Sequence, residues 1–427
     1  MNQVFVLDTR CKPLTPCHPA RARALLKNGK AAVFRRIPFT IVLKTAIPDA
    51  VVKPLTVKID PGSKITGLAL AEGNGRIVFG AELEHRGTAI KARLDSRRTS
   101  RRLRRHRKTR YRAARFNNRM RTEGWLPPSL QHRVETTMTW VNRFRQWANI
   151  EGIAVERVKF DMQLMQNPEI SGVEYQQGTL QGYSVREYLL EKWGRKCAYC
   201  ATENVPLQVE HVKARANGGS NNVSNLTLAC EPCNSKKGTK DIAVFLQKKP
   251  DVLKRIMAQI KKPLTDAAAV NTTRNKLFTE LLKTGLPVET GTGAQTKFNR
   301  TRLNYPKAHW IDAACVGDSA TTVTLNPELK PLLIKATGHG TRQMVSMDKY
   351  GFPRTQAKSG KMVNGIQTGD LVKIIQPKGK YVGRYVARVS SIKTVNQYLS
   401  IPVNGVPVGF PSKLATLIQK ADGYAYA

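Results

Sequence analysis

Two Cys-X-X-Cys pairs, Cys197/Cys200 and Cys230/Cys233, constrain this chain more than any other feature. Twenty-nine residues lie between the pairs, and two such knuckles bring four thiolates to one tetrahedral zinc. Buried free thiols seldom fall into paired spacing by packing alone, so a zinc knot is expected. A region of a few dozen residues rarely supplies enough core to fold without such a staple. The remaining cysteines, Cys11, Cys17 and Cys315, then read as free thiols, as in a reducing compartment.

The segment between the knuckles carries more than a staple. Glu210 and His211 form an acid–histidine dyad on the β-patterned run LQVEHVKA, Asn225 follows in NVSNL, and Asn234 comes directly after the last cysteine, in CNSKKG. This set resembles the HNH (ββα-metal) nuclease module. The resemblance implies Glu210 and Asn234 as ligands of one Mg²⁺, His211 as general base and Asn225 as the residue that orients the histidine loop. The residue types suit the chemistry, because imidazole accepts a proton near neutral pH and Mg²⁺ prefers oxygen ligands.

The whole chain has 427 residues, enough for two to four domains, and 41% hydrophobic residues permit ordinary cores. Its 71 Lys plus Arg against 30 Asp plus Glu give a formal charge of +41. A compact chain so charged repels itself, and a polyanionic partner is the natural completion. No run of 18 apolar residues occurs, and Asp8, Arg10 and Lys12 fall where a signal peptide needs its apolar region. An intracellular nucleic-acid protein with no membrane partner is expected.

In chain order, residues 1–52 predict a small α/β unit: a strand at VFVL, a turn around PLTP, a helix over ARARALLKNGK ended by Asn28-Gly29, then strands at AAVF and FTIVLK. Residues 55–84 predict three antiparallel strands joined by PGSK and EGNG turns. Asp60 ends the first of them, where alone it reads as a turn or capping acid. Residues 93–121 hold 13 arginines and one lysine against the single acid Asp95, with no Gly or Pro. One helix of roughly 43 Å is expected, with cations on nearly its whole circumference. Arg97, Arg98, Arg101, Arg102, Arg104, Arg105, Arg107, Arg110, Arg112, Arg115 and Arg119 are its candidate phosphate contacts.

From 126 to 150 the apolar positions Val134, Met138, Val141, Phe144 and Ala148 follow helical spacing. The next run, GIAVERVKFD, is β-patterned and holds Glu156 inside the strand, costly unless paired or on a metal; Asp161 is the second candidate. Further on, YPKAHWIDAACVGD opens a helix that sets His309 and Asp312 at i and i+3. A core histidine and a helix N-terminal acid explain that pair equally well. The tail from 326 has short β runs among Gly, Pro and Lys and predicts a small β-rich domain or barrel. Its Tyr350, Tyr381 and Tyr385 interleave with basic residues, as on a nucleic-acid surface or any β surface.

IDPGSK, the strand acid Glu156 and HWIDA resemble the three motifs of a RuvC-type nuclease, and the arginine run resembles the bridge helix of RNA-guided nucleases. In this order, with the HNH module between the second and third motifs, the chain resembles the IscB family, compact transposon-encoded relatives of the type II CRISPR effectors. The family's Pro-Leu-Met-Pro signature stands here as Pro13-Leu14-Thr15-Pro16. The resemblance implies an α+β multidomain fold: an RNase H-like mixed sheet split in three, the arginine helix, an inserted zinc-containing HNH domain and the β-rich tail. The implied boundaries are 1–52, 53–87, 88–122, 123–180, 181–248, 249–325 and 326–427. Asp60, Glu156, His309 and Asp312 are the implied ligands of two Mg²⁺.

The resemblance also implies a monomeric ribonucleoprotein in the prokaryotic cytoplasm. It holds a structured guide RNA, the ωRNA, and cleaves double-stranded DNA, HNH on the guide-paired strand and RuvC on the displaced one. The tail then contacts RNA and a short motif beside the target. Two rival readings are an unguided HNH endonuclease and a nucleic-acid scaffold with idle sites.

Overall fold

The computed structural model describes residues 2–47, 50–105, 124–157, 189–190, 192–203, 205–220, 223–260, 265–339, 345–356 and 360–427. They divide into two compact units, one formed by 1–155, 279–291 and 295–427, the other by 156–278 and 292–294.

The first unit begins with strands β1 (Val4–Leu7), β2 (Pro13–Cys17), β3 (Ala31–Arg35) and β4 (Thr40–Leu43), in sheet order β2-β1-β4-β3, and helix α1 (Pro19–Lys27). The expected turn at PLTP is instead the edge strand β2, with Leu14 opposite Val6 and Pro13 opposite Leu7. An edge position tolerates proline because one side of the strand needs no donor. The reversal falls earlier, where Asp8 and Lys12 close the loop and Cys11 takes φ 59°.

A seven-stranded mixed sheet follows. Strands β5 (Leu55–Asp60), β6 (Ile65–Glu72) and β7 (Ile77–Glu84) form the antiparallel meander that the turns predict. Strand β8 (Ile150–Glu156) adds parallel to β5, and β11 (Val288–Gly291) lies outside it. On the other edge β12 (Leu332–Ala336) runs parallel to β7, and β21 (Tyr424–Tyr426) closes the order β11-β8-β5-β6-β7-β12-β21. The tail therefore contributes its first and last strands to this sheet.

Alternation gives the sheet two different faces. One carries Phe79, whose ring lies 5.2 Å from Phe5 and 5.6 Å from Phe144 of helix α3 (Pro128–Trp147). The other carries small residues. Gly80 lies so close to Trp310 that a Cβ there would meet its ring at 2.6 Å, and one on Gly67 would stand 1.9 Å from the His309 carbonyl oxygen. Both glycines let a short helix lie directly on the backbone. Helix α2 (Gly87–Arg105) starts six residues before the expected arginine run. In the rest of the tail, β13 (Met362–Val363) pairs with β14 (Ile366–Gln367), and β15 (Leu371–Gln376), β16 (Gly383–Arg388), β17 (Ser391–Lys393), β18 (Tyr398–Val403), β19 (Val406–Pro411) and β20 (Ala415–Gln419) build sheets β16-β15-β20 and β17-β18-β19 around one core, which includes Val372, Ile374, Leu399, Ile401 and Phe410.

The second unit centres on antiparallel β9 (Leu207–His211) and β10 (Leu226–Cys230). Helices α4 (Glu231–Lys237), α5 (Ile242–Phe245) and α6 (Pro250–Ile260) follow, and a buried cluster including Tyr199, Leu228, Ile242 and Ile256 forms the core. Helix α7 (Thr265–Leu282) leads back toward β11; helices α8 (Gly293–Arg302) and α9 (His309–Ala314) come next in the chain.

Candidate functional site

The four knuckle cysteines converge with all Sγ atoms within 4.8 Å of one another. Cys200 and Cys230 lie 3.7 Å apart. Ligands at about 2.3 Å from a tetrahedral zinc are separated by about 3.8 Å, so this donor set fits the ion the spacing predicts. Burial pushes the Cys200 thiol up, but hydrogen bonds from the Thr202 hydroxyl and backbone and from Cys197 and Cys230 outweigh it and bring the thiol down to about 6. Burial pushes the Cys197 and Cys233 thiols up instead, so of these three Cys200 is the readiest to offer a thiolate to a metal.

Glu210 is only 5% exposed, and both of its carboxylate oxygens accept hydrogen bonds. Lys237 Nζ donates to Oε1 at 2.6 Å and to the His211 carbonyl at 2.8 Å, while the Tyr199 hydroxyl donates to Oε2. Burial and the charge of Glu210 push the Tyr199 hydroxyl far above its ordinary value, so it stays a donor. Asn234 Nδ2 donates to Gln208 Oε1 at 2.6 Å. Each Glu210 oxygen thus already has a donor, whereas the bond to Gln208 uses Asn234 Nδ2 and not the Oδ1 that a cation would take. Asn225 braces the loop after the half-buried His211: its Oδ1 accepts from Lys213 N at 2.9 Å, and its Nδ2 donates to the carbonyls of Lys213 and Ser220 at 3.0 and 2.8 Å.

In the first unit, the ladder sets Asp60 opposite Gly67, and the backbone of His309 rests on Gly67. Helix α9 packs across β5, β6 and β7, and it holds His309 and Asp312 one turn apart as their spacing predicts. Asp312 is ion-paired with Arg300 at 2.7 Å. Two residues before Asp60 on the same strand face, Lys58 is 1% exposed; burial, opposed by Glu289 and Cys315, brings its amine down to about 8. Glu156 is the last residue of β8 rather than an interior one. It is 8% exposed, with Arg274 Nη2 at 3.3 Å, so the pairing that its burial demands is met within the second unit. Asp161 lies outside the described residues.

On α2, Arg97, Arg98, Arg101, Arg102, Arg104 and Arg105 are all exposed, and the Arg104 guanidinium stacks over Phe352 at 5.7 Å. Arg107, Arg110, Arg112, Arg115 and Arg119 lie outside the described residues. In the tail, Lys349 and Lys380 sit over the rings of Tyr350 and Tyr381, but Tyr385 packs on Phe410 at 5.5 Å and belongs to the core. No helix among the described residues is long and apolar enough to cross a membrane.

Two protein families match. Residues 197–240 match HNH endonuclease, over the knuckles, β9, β10 and α4. The chain carries an HNH endonuclease domain. Residues 4–178 match the RRXRR protein family, which takes in the first small sheet, the meander, the arginine run and β8. Comparison with curated proteins gives no match. Among solved structures, the type II-C Cas9 enzyme from Actinomyces naeslundii is similar at 16% identity over 48% of this chain, with a TM-score of 0.16. Streptococcus thermophilus Cas9 in complex with the GGAA PAM is similar at 10% identity over 62%, with a TM-score of 0.24. This chain spans 29% and 32% of those two chains, and likenesses so loose transfer nothing to it.

Proposed function

We propose that the chain is an RNA-guided DNA endonuclease that cuts both strands of a duplex matching its guide. The HNH domain cuts the guide-paired strand, with His211 as general base on a loop braced by Asn225. The second centre, of RuvC type, cuts the displaced strand and consists of Asp60, His309 and Asp312, with Glu156 as the further carboxylate that the sequence resemblance assigns. Carboxylate oxygens are the donors Mg²⁺ prefers, and the Asp312 carboxylate, one helical turn from His309, already attracts a cation, Arg300. Mg²⁺ held there would stabilise charge on the scissile phosphate. The zinc knot is structural. The exposed arginines of α2 grip RNA phosphates, and base pairing supplies sequence choice.

One observation carries this reading: in a chain with an HNH endonuclease domain, the helix bearing His309 and Asp312 lies on the ladder neighbour of Asp60. The test is cleavage of a strand-labelled duplex by the ribonucleoprotein. Asp60→Ala spares the guide-paired strand and His211→Ala the displaced one, which leaves two complementary nickases. Loss of both cuts in His211→Ala protein that still binds its target would overturn the division of labour. Cutting without RNA would point to an unguided enzyme.

A further inference from the structure

Helix α9 has only six residues, too few to persist by its own hydrogen bonds. Its N-cap, Ala308, supplies no side-chain bond. Two charged side chains from the sheet do that work. At the N-terminus, Glu82 Oε1 accepts from the backbone N–H of His309 at 3.0 Å and of Trp310 at 3.5 Å. Just past the C-terminus, Lys58 Nζ donates to the Val316 carbonyl at 3.0 Å and to Ser319 Oγ at 2.8 Å. Ser319 is in turn held by Glu289, whose Oε1 accepts from the backbone N–H at 2.9 Å and whose Oε2 accepts from the hydroxyl at 2.5 Å. Both charges have the sign that the helix dipole favours, negative at the start and positive at the end.

The register shows what the clamp fixes. Asp60, Gly67 and Glu82 stand side by side across β5, β6 and β7. Gly67 carries no side chain, and the first turn of α9 occupies that space between the two acids. A shift of the helix along the sheet would carry His309 and Asp312 away from Asp60 and break bonds at both ends.

We propose that Glu82 and Lys58 are positioning residues for the Asp60, His309 and Asp312 centre, fixing the short helix from its two ends. The inference rests on that centre being the nuclease site for the displaced strand. In this role Glu82 acts through Oε1 on the backbone N–H groups of the helix rather than on a metal.

The experiment measures nicking of each strand by the ribonucleoprotein, against Mg²⁺ concentration, for wild type, Glu82→Leu, Glu82→Gln, Lys58→Met and Asp60→Ala, with the melting temperature of each. Glu82→Leu and Lys58→Met slow the displaced-strand nick by roughly tenfold to a hundredfold, the size expected when catalytic groups are misplaced by about an ångström. They raise the Mg²⁺ concentration for half-maximal rate and leave the guide-paired nick unchanged. Glu82→Gln, whose amide carbonyl still accepts from the helix, retains most of the rate. If Gln is as damaging as Leu, Glu82 acts as an anion at the metal and the clamp is wrong. A parallel fall of both nicks and of the melting temperature would reduce the role to general stability and also overturn it. Wild-type rates and Mg²⁺ dependence in Leu and Met variants, with Asp60→Ala inactive on the displaced strand, would sink the clamp and leave the centre standing. An active Asp60→Ala would sink the centre itself.

Discussion

Lys237 and Glu210 form a buried ion pair at 2.6 Å, their side chains 0% and 6% exposed. Lys237 ends α4, directly after the zinc knuckle, and Glu210 sits on β9 beside His211. The pair therefore joins the metal knot to the strand of the proposed base. Removing one partner strands a buried charge, at a cost of about 3–5 kcal/mol. Lys237→Ala is expected to lower the unfolding midpoint of the full chain and speed zinc release to a chromogenic chelator. Tyr199→Phe, which removes one hydrogen bond to a charged group, costs less, about 1.5–3 kcal/mol. Unchanged zinc release in Lys237→Ala would show that the pair holds nothing.

Zinc in the proposed knot would hold the module around β9 and β10 together, because so small a core depends on its metal, and stripping it is expected to unfold that module. Zinc-selective chelation with Mg²⁺ kept in excess, or Cys230→Ser, should abolish the guide-paired nick and spare the displaced-strand nick. Loss of both together would mean that the two units fold as one.

His85 and His132 give the first unit a pH dependence. His85 Nε2 is 2.7 Å from Thr66 Oγ1, and the Arg86 N–H donates to His132 Nε2 at 3.3 Å. Burial first, then the neighbouring charges of His132 and Arg133, lowers His85 to about 3; burial, then Arg86 and Arg133, lowers His132 to about 4. Both are neutral when folded, so their stabilisation is complete above the unfolded value near ~6.5 and is lost as pH falls toward the folded values. His85 alone is expected to cost about 2 kcal/mol by pH 5; the half-exposed His132 adds less. Melting temperatures between pH 8 and pH 5 check this, and His85→Gln should flatten the curve. An equal slope in the variant would contradict the assignment.

The exposed arginines of α2 predict salt-sensitive RNA binding. Replacing Arg101, Arg102 and Arg105 by Gln should weaken binding and reduce the slope of log K against log salt by about 0.7–0.9 for each phosphate no longer neutralised. Filter binding across a salt series reads this. An unchanged slope would place the RNA elsewhere.

Local pattern made much of this legible. Turn residues around Pro61-Gly62 and Gly73 fixed the meander, cysteine spacing fixed the knot, and i, i+3 spacing put His309 and Asp312 on one helix. The partners of the charged groups were hidden, because they come from distant segments. Arg274 meets Glu156, Arg300 meets Asp312, Lys237 meets Glu210 and Glu82 meets α9, and no periodicity links these positions. Lys58 did leave a trace, as a cation between the apolar Val57 and Ile59, two residues from Asp60. The arginine run announced a helix but not its start, since Gly87 and the half-buried Ile90 belong to it without any arginine pattern. PLTP misled because two prolines suit a turn and an edge strand equally.

The most direct test of RNA guidance is to purify the protein from cells carrying its native flanking DNA and sequence the RNA that accompanies it. The account predicts one abundant RNA, with a constant structured part and a variable segment, and a double-strand cut in a duplex matching that segment. A smear of unrelated RNA, unchanged when the flanking DNA is removed, would contradict it and leave only attraction between phosphate and a chain of charge +41.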